Sequence, residues 1–506
     1  MHQLRPSNIL DRLLRLRPAA RYPAFALCGA LTALVFAPAG LYLLAPLLLL
    51  PILWSCLCDR SRVAAKNGFF YGVGLFLAGT YWLYISIHVF GQAPLILAIA
   101  LMIALVLLMA LYYSLAAGLT AYVAAGSAWR LLLAAPAVWV LLEWLRGWLF
   151  TGFPWLTMGY SQIDSVLSGW APLLGVYGVS AALLLSTAAI PLLLRAPRTS
   201  RLPPITLVLL PWLAGWGLGY IQWTTPSGEP VMTSIIQGGI SQDRKWLPEQ
   251  FRPTLDLYRE TTERQRQSDL VVWPEVAIPA LADRVEPYLS MVELGVARRG
   301  AALILGILER DHNGEHVYNS ALLLGSGDIQ VYRKRHLVPF GEYFPVPETV
   351  REWMRLMSLP LSDLSPGDEN QPLLETLDGL KLAVAICYED AYGAEQLHAL
   401  PDADLLINIS NDAWFGDSIA PHQHLEIARM RALEVGRYVV RATNTGVSAF
   451  IGPAGEILDR APQFEMAVMQ RAIVPHSGST PYVRAGNWPI LLLATLLLGG
   501  SFLRRK

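Results

Sequence analysis

Charged residues and cysteines are both scarce in this sequence. Of 506 residues only 15% are charged, whereas 54% are hydrophobic, and the mean hydropathy is +0.40. An average soluble domain carries about 25% charged residues. The composition therefore excludes an ordinary soluble enzyme and indicates a membrane protein with an extramembrane part.

Acidic residues are almost missing from the first 223 positions. Four acids stand there against thirteen lysines and arginines, and the other 35 acids lie in residues 224–503 together with 23 bases. That segment is acidic by about twelve charges, although the whole chain is neutral. Because such a surface repels phosphates, we expect no nucleic-acid partner.

The four cysteines leave no room for a disulfide framework in the acidic segment. Cys28, Cys56 and Cys58 fall in or beside the first two apolar runs, which leaves Cys387 alone. A lone cysteine can simply fill a gap in the core. An unpaired thiol in an oxidising compartment is also a candidate for chemistry, and both interpretations stay open on this residue alone.

Eight apolar runs approach the length needed to cross a hydrocarbon layer of about 30 Å. They lie near residues 23–38, 41–57, 67–90, 94–125, 130–150, 171–195, 203–222 and 488–503. Lysine and arginine cluster before the first run, after the second, fourth and sixth runs, and at the C-terminus, which predicts that both termini are cytoplasmic. No signal-peptide cleavage pattern is evident, so we expect the first run to be retained. The expected domains are a helical bundle at 1–223, an outer-face domain at 224–486, and a last span with a basic tail at 487–506.

Strand-like and helix-like patterns alternate in the outer domain. Short apolar runs bounded by turn residues predict strands near 232–237, 270–273, 303–308, 320–324, 380–386, 405–409 and 438–451. Longer amphipathic runs predict helices near 248–267, 285–299 and 421–437. The expected fold class is α/β, with about 250 residues around one sheet-based core.

Three reactive side chains stand where predicted strands end. Glu275 follows Val-Val-Trp-Pro, Lys334 lies within Val-Tyr-Arg-Lys-Arg-His, and Cys387 follows Leu-Ala-Val-Ala-Ile. Taken singly, Glu275 could be an exposed turn acid and Lys334 a solvated strand end. Together they supply a proton acceptor, a positive charge and a nucleophile, the set that cysteine-based acyl chemistry requires.

Four motifs in this order resemble those of the nitrilase, or carbon–nitrogen hydrolase, superfamily. They are Trp-Pro-Glu, Lys-Arg-His-Leu-Val-Pro-Phe-Gly-Glu, Ile-Cys-Tyr-Glu and Asn-Asp-Ala-Trp-Phe-Gly. The resemblance implies an αββα sandwich, a catalytic triad of Glu275, Lys334 and Cys387, and no metal or cofactor. With apolar runs on both sides of the outer domain, essentially the whole chain is similar to the membrane-embedded lipoprotein acyltransferases of this superfamily.

That similarity implies an acyl transfer in two steps. Cys387 would take an acyl chain from a phospholipid, typically phosphatidylethanolamine, and hold it as a thioester. The α-amino group of the S-diacylglyceryl cysteine of an apolipoprotein would then receive it as an amide. The location implied is the bacterial cytoplasmic (inner) membrane with a periplasmic catalytic domain, and we expect a monomer. A membrane-tethered amidase and a transporter with an accessory domain are the alternatives.

Further side chains are candidates for supporting roles. Glu342 follows Lys334 in the same motif, and Glu389, two residues beyond Cys387, could tune the site or serve only as a brace. Four aromatic residues are predicted to line a substrate pocket, with an ordinary core role as the alternative: Trp246, Tyr388, Trp414 and Phe415.

Three other features have both a structural and a functional interpretation. His422 and His424 have a spacing that metal ligands can share, but no third ligand is evident, so we expect a helix start. Glu143 and Arg146 form either an ion pair or a contact with a lipid headgroup. Residues 353–361 carry large apolar side chains and are predicted to form a lid at the membrane interface.

Overall fold

The computed structural model describes residues 9–311, 313–343 and 364–503, without the side chains of residues 198, 502 and 503. The predicted lid at 353–361 lies outside the described residues. The chain divides into two compact units, one made of Met1–Gln222 with Arg484–Lys506 and the other of Trp223–Val483. Each unit has its own architecture.

The first unit is helical. Its described part contains eight helices of at least 14 residues: Pro18–Thr32, Ala45–Cys58, Ser61–Thr80, Leu95–Ala124, Ala128–Arg146, Ala171–Arg195, Leu202–Leu218 and Trp488–Leu503. Four segments are long and apolar enough to cross a membrane: Pro18–Val35, Leu95–Ala124, Ala128–Arg146 and Val166–Arg195. Shorter apolar helices are Tyr42–Cys58, Leu202–Leu218 and Trp488–Ser501. Leucines are exposed on several of these helices, as expected of surfaces that face lipid.

The predicted span near 67–90 has a different structure. The helix begins earlier, at Ser61, and ends at Thr80, and a π-helix follows over Ile85–Phe90. The helical prediction was therefore right for this segment, whereas its bounds were wrong. The count of about eight spans stays a prediction beyond the four segments above.

Glu143 and Arg146 are both buried near the end of their helix. Arg146 Nη1 donates to the carbonyl oxygens of Phe153 and Trp155 at 2.7 and 2.6 Å. Glu143 Oε1 accepts a hydrogen bond from the N–H of Met158 at 2.8 Å. Both charges thus hold the segment that follows the helix, which is a structural role.

The described part of the second unit contains fourteen strands, β1 to β14 in chain order. Their bounds are Thr224–Pro226, Val231–Gln237, Leu270–Val272, Ala302–Arg310, Val317–Leu324, Gln330–Arg333, Leu374–Glu375, Lys381–Ile386, Leu405–Ser410, Val439–Thr443, Ala449–Ile451, Ile457–Arg460, Ala467–Ile473 and His476–Gly478. Twelve strands form two six-stranded sheets, ordered β13-β2-β3-β4-β5-β6 and β12-β11-β10-β9-β8-β7, and β1 pairs with β14. In each sheet three neighbouring strands, β2-β3-β4 or β8-β9-β10, run parallel.

The two sheets pack face to face with helices outside them. Alternate residues of β8 show the arrangement: Leu382, Val384 and Ile386 join the cluster shared by both sheets, whereas Ala383 faces a helix. Among the described residues of this unit, the long helices are Pro248–Arg264, Glu286–Ala297 and Ala420–Val435. The first two cover one sheet and the third covers the other. This is an αββα sandwich.

One strand prediction was wrong. The run 438–451 is not a single strand, because β10 and β11 form an antiparallel pair in which Val439 lies opposite Ile451. The turn between them is buried, although it contains the polar residues Asn444, Thr445 and Ser448. The sequence Asn-Thr-Gly at 444–446 marks the turn.

Candidate active site

The three predicted triad residues all follow strands of the sandwich. Glu275 comes three residues after β3, and Lys334 comes directly after β6 of the same sheet. Cys387 comes directly after β8 of the other sheet. The charges of Glu275 and Lys334 both act on the Cys387 thiol. The structure therefore brings together three separate parts of the sequence, of which the first and the last, Glu275 and Cys387, are more than 100 positions apart.

The main chain is strained at two points of this site. Cys387 has φ +53° and opens a 3₁₀ helix, Cys387–Ala391, while Val276, directly after Glu275, has φ +45°. Residues other than glycine adopt this left-handed conformation at a cost of about 1–2 kcal/mol, and such positions cluster at functional sites. Two sharp turns thus present the thiol and the carboxylate at the ends of their strands.

A buried network connects Lys334 with two carboxylates. Lys334 Nζ lies 2.8 Å from Glu342 Oε1 and 3.4 Å from Glu275 Oε1. Asn319 Nδ2 donates to the same two oxygens, at 3.0 Å to Glu342 and 2.7 Å to Glu275. An ammonium and an amide therefore separate two carboxylates that would otherwise repel each other.

Burial and neighbouring charges affect the Cys387 thiol and the Lys334 ammonium differently. Burial disfavours the charge on Lys334, but Glu342 and Glu275 outweigh burial and raise the pKa of the ammonium. Burial, followed by the charge of Glu275, raises the pKa of the Cys387 thiol well above its usual value, and Lys334 offsets only part of this. At neutral pH the site holds a neutral thiol beside a charged lysine, so a base must remove the thiol proton during a reaction.

Glu389 hydrogen-bonds to main-chain groups on both sides of the site. Its Oε2 accepts from the N–H of Ile386 at 2.7 Å, and its Oε1 accepts from the N–H groups of Arg335 and His336 at 2.7 and 3.2 Å. The Tyr332 hydroxyl lies 3.1 Å from both oxygens. One carboxylate thus ties the residue before Cys387 to the residues after Lys334, and so links the two sheets. Of the two roles considered for Glu389, these contacts favour the brace.

The four predicted pocket aromatics differ in exposure. Trp246 and Trp414 are exposed, at 52% and 42%, whereas Phe415 is partly buried. Tyr388 packs edge to face against Tyr392, with ring centroids 5.1 Å apart. Their part in substrate binding stays a prediction.

Two site residues escaped sequence reasoning. Asn319 is buried within β5, where a polar residue in an apolar run was the available signal. Lys245 is 2% exposed, and its Nζ lies 3.5 Å from the carbonyl oxygen of Glu275. Burial lowers the pKa of Lys245 to about 8, although the charge of Glu275 opposes this. In this stretch the sequence predicts a role only for the neighbouring Trp246.

His424 lies within the helix Ala420–Val435, near its start, as expected. Its ring nitrogens lie 2.8 Å from Asp412 Oδ1 and 2.9 Å from Asp390 Oδ1. Among the described residues, no group of three or more His, Cys, Asp or Glu side chains is arranged to hold a metal ion.

Comparison with known proteins identifies both units. Residues 28–190 match the family model described as apolipoprotein N-acyltransferase N-terminal domain, and residues 233–482 match the carbon-nitrogen hydrolase model. The resemblance to the nitrilase superfamily is thereby confirmed. Among solved structures, an amidase from Nesterenkonia sp. aligns with 52% of this chain and 96% of its own, at 19% identity and a TM-score of 0.37.

Full-length relatives give the same result. The apolipoprotein N-acyltransferase of Nitrosomonas europaea is 44% identical over 487 residues, which are 94% of this chain and 96% of that protein. The apolipoprotein N-acyltransferase of Azotobacter vinelandii is 45% identical over 490 residues, which are 94% of each chain. Because this similarity spans both units, the chain belongs to the apolipoprotein N-acyltransferase family.

Proposed function

We propose that this protein transfers an acyl chain from a phospholipid to the α-amino group of the S-diacylglyceryl cysteine that begins an apolipoprotein. Membership of the family and the two matched domains support the reaction class. The observation that carries the mechanism is the neutral, partly buried Cys387 thiol under the opposing charges of Glu275 and Lys334. That set suits a nucleophile activated by a general base.

In the first step Cys387 attacks the ester carbonyl of the phospholipid. Glu275 takes the thiol proton as the carbon–sulfur bond forms, and the Lys334 ammonium stabilises the negative oxygen of the tetrahedral intermediate. The carbon–oxygen bond then breaks, and Glu275 returns the proton to the leaving oxygen. The products are a lysophospholipid and a thioester on Cys387. Phosphatidylethanolamine is the proposed donor.

In the second step the apolipoprotein amine attacks the thioester. Glu275 takes a proton from the amine nitrogen, the carbon–nitrogen bond forms, and the sulfur leaves and recovers its proton. A thioester reacts with an amine more readily than an oxygen ester does, which is the advantage of the covalent intermediate. Glu342 and Glu389 act by positioning, since Glu342 bonds to the Lys334 ammonium and Glu389 to the main chain of the two turns.

The aromatic residues suit a substrate-binding role. Trp246 and Trp414 expose about half of their surface, 52% and 42%, and such rings combine a large apolar face with a polar N–H. We assign these two, with Tyr388 and Phe415, to the walls that receive the acyl chains and the diacylglyceryl group.

The membrane arrangement is part of the proposal. The clusters of lysine and arginine between the apolar runs support about eight spans with both termini in the cytoplasm. The bundle at 1–223 and the last span at 487–506 then hold the domain at 224–486 on the periplasmic face of the bacterial inner membrane. We propose a monomer, because a domain tethered at a membrane does not need a partner subunit for stability.

Labelled lipid tests the proposal. The purified full-length protein is incubated with phosphatidylethanolamine that carries a labelled acyl chain, and the protein is then analysed for label that hydroxylamine removes. A diacylglyceryl-cysteine peptide is added afterwards. We expect thioester label on the wild type, its transfer to the peptide amine, and no label on Cys387→Ala. Glu275→Ala and Lys334→Ala should block thioester formation.

Three results would contradict this function. Label that never forms, or that survives Cys387→Ala, excludes the acyl-enzyme. Label that passes to water and not to the peptide favours a membrane-tethered amidase. Wild-type labelling of Glu275→Ala or Lys334→Ala would mean that their roles are assigned wrongly.

A further inference from the structure

Four buried charges form a ring beside the main chain of Cys387. Asp390, Asp412, His424 and Arg441 are each at most 2% exposed. Arg441 Nη1 lies 3.3 Å from Asp390 Oδ2, and its Nη2 lies 2.9 Å from Asp412 Oδ2. His424 contacts the other oxygen of each carboxylate, at 2.9 and 2.8 Å. Two acids and two bases thus alternate around the ring.

The imidazole of His424 is charged in this ring. Both of its nitrogens face carboxylate oxygens, so both must carry a proton to donate hydrogen bonds. Burial and the charge of Arg441 disfavour the imidazolium, but Asp390 and Asp412 outweigh them and raise the pKa of His424 to about 9. The ring is therefore neutral overall near pH 7.

The same imidazole also contacts the main chain of Cys387. His424 Nε2 lies 3.2 Å from the carbonyl oxygen of Cys387, the residue with φ +53°. The negative charge of Asp412 also acts on the Cys387 thiol and raises its pKa. Ser410 connects the two, because its hydroxyl lies 2.9 Å from Asp412 Oδ1 and also hydrogen-bonds to the thiol.

We propose that His424 is a positioning residue for the nucleophile, which holds the carbonyl oxygen of Cys387 in its left-handed turn and neutralises the two aspartates beside the thiol. The inference rests on the proposed role of Cys387. Without the imidazolium, Arg441 alone would face both Asp390 and Asp412, and the net negative charge would oppose formation of the thiolate.

His424→Gln in the full-length chain tests this inference, with His422→Gln as the matched control two positions earlier on the same helix. One measurement is the rate of thioester formation as a function of labelled phosphatidylethanolamine. We expect His424→Gln to lower the maximal rate about ten- to hundredfold, the effect of one charge-assisted hydrogen bond. The lipid concentration at half-maximal rate should stay unchanged, and His422→Gln should behave as the wild type.

The second measurement is alkylation of Cys387 by iodoacetamide at about pH 8, which reports thiolate formation without lipid. It uses a chain whose other cysteines are replaced by alanine: Cys28, Cys56 and Cys58. His424→Gln should slow alkylation about tenfold, which corresponds to a thiol pKa about one unit higher. Asp390→Asn removes one negative charge, so its alkylation rate should equal or exceed that of the wild type.

Two results would overturn the inference. One is a His424→Gln protein that matches His422→Gln in both measurements. The other is slower alkylation in Asp390→Asn, and this variant decides the matter if His424→Gln does not fold. Failure of the proposed function looks different, because lipid label would then be absent or independent of Cys387 while alkylation of the thiol still depended on His424.

Discussion

Replacing Glu389 by glutamine tests whether this buried carboxylate fixes the turn that presents Cys387. Glutamine has nearly the same shape, but only one of its two terminal atoms accepts hydrogen bonds. If its oxygen faces Arg335 and His336, its NH₂ group faces the N–H of Ile386, donor against donor. The hydrogen bond of 2.7 Å from Ile386 is then lost.

The size of the effect follows from the contact that is lost. A buried N–H that loses a charged acceptor costs about 2 kcal/mol. That amount corresponds to about a thirtyfold change in an opening equilibrium. We expect the amide of Ile386 in Glu389→Gln to exchange its hydrogen about thirtyfold faster than in the wild type. Because Ile386 precedes Cys387, thioester formation should slow by about tenfold or more.

Hydrogen exchange followed by mass spectrometry of the full-length protein in detergent gives the local measurement, and lipid labelling gives the rate. Glu395→Gln is the matched control, since Glu395 Oε1 also contacts this region, at 2.8 Å from His336 Nδ1, but is 36% exposed. An exposed pair contributes at most about 1 kcal/mol. If both variants exchange alike at Ile386, or if Glu389→Gln labels at the wild-type rate, Glu389 is not the brace of this turn.

Three further predictions concern the same site. Asn319→Asp places a third carboxylate about 3 Å from two others, with a repulsion of about 5 kcal/mol from each if all are ionised. Thioester formation at neutral pH should therefore fall sharply, and it should fall less in Asn319→Ala. Gly306→Ala puts a Cβ 2.6 Å from Glu275 Cα, so thioester labelling by lipid should fall about a hundredfold. Gly295→Ala is the control, because no atom lies within 4 Å of its Cβ, and it should label at the wild-type rate. The pKa of His424 rises to about 9 in the folded protein from about 6.5 in the unfolded chain. The imidazolium therefore stabilises the folded state fully below about pH 6.5, and this contribution is lost as the pH rises through about 9. The melting temperature should fall across this window in the wild type and change less in His424→Gln.

The sequence predicted the parts of the fold that follow from local patterns. Parallel strands buried on both faces are continuous apolar runs, and Glu275 and Cys387 were noticeable because each follows such a run. Lys334 instead follows the short antiparallel edge strand β6 and was noticeable as part of a basic run. The three long helices of the second unit were also predicted, with ends within three residues of those observed. These features depend on neighbours in the chain, so one sequence suffices to predict them.

Other features depend on residues that are distant in the chain. Asn319 lies 44 positions from the Glu275 carboxylate that it contacts, and no local pattern reports that contact. No strand was predicted at the edge strand β13, Ala467–Ile473, which alternates in burial but contains the polar Gln470 and the charged Arg471. His424 was considered only with His422, because spacing along the chain says nothing about Asp390 and Asp412.

Because the site is divided between two sheets, substitutions that are distant from it can impair the reaction. Glu275 and Lys334 follow strands of one sheet and Cys387 follows a strand of the other, so the separation of the Glu275 carboxylate and the Cys387 thiol depends on how the sheets pack. The hydrogen bonds of Glu389 connect the two sheets at one edge, and the apolar cluster between the sheets determines their separation elsewhere. A shift of about 1 Å between reacting groups can cost about a hundredfold in rate. Substitutions that replace large side chains of this cluster by smaller ones should therefore impair acyl transfer before they unfold the domain, even where the replaced residues contact neither the Cys387 thiol nor the Glu275 carboxylate.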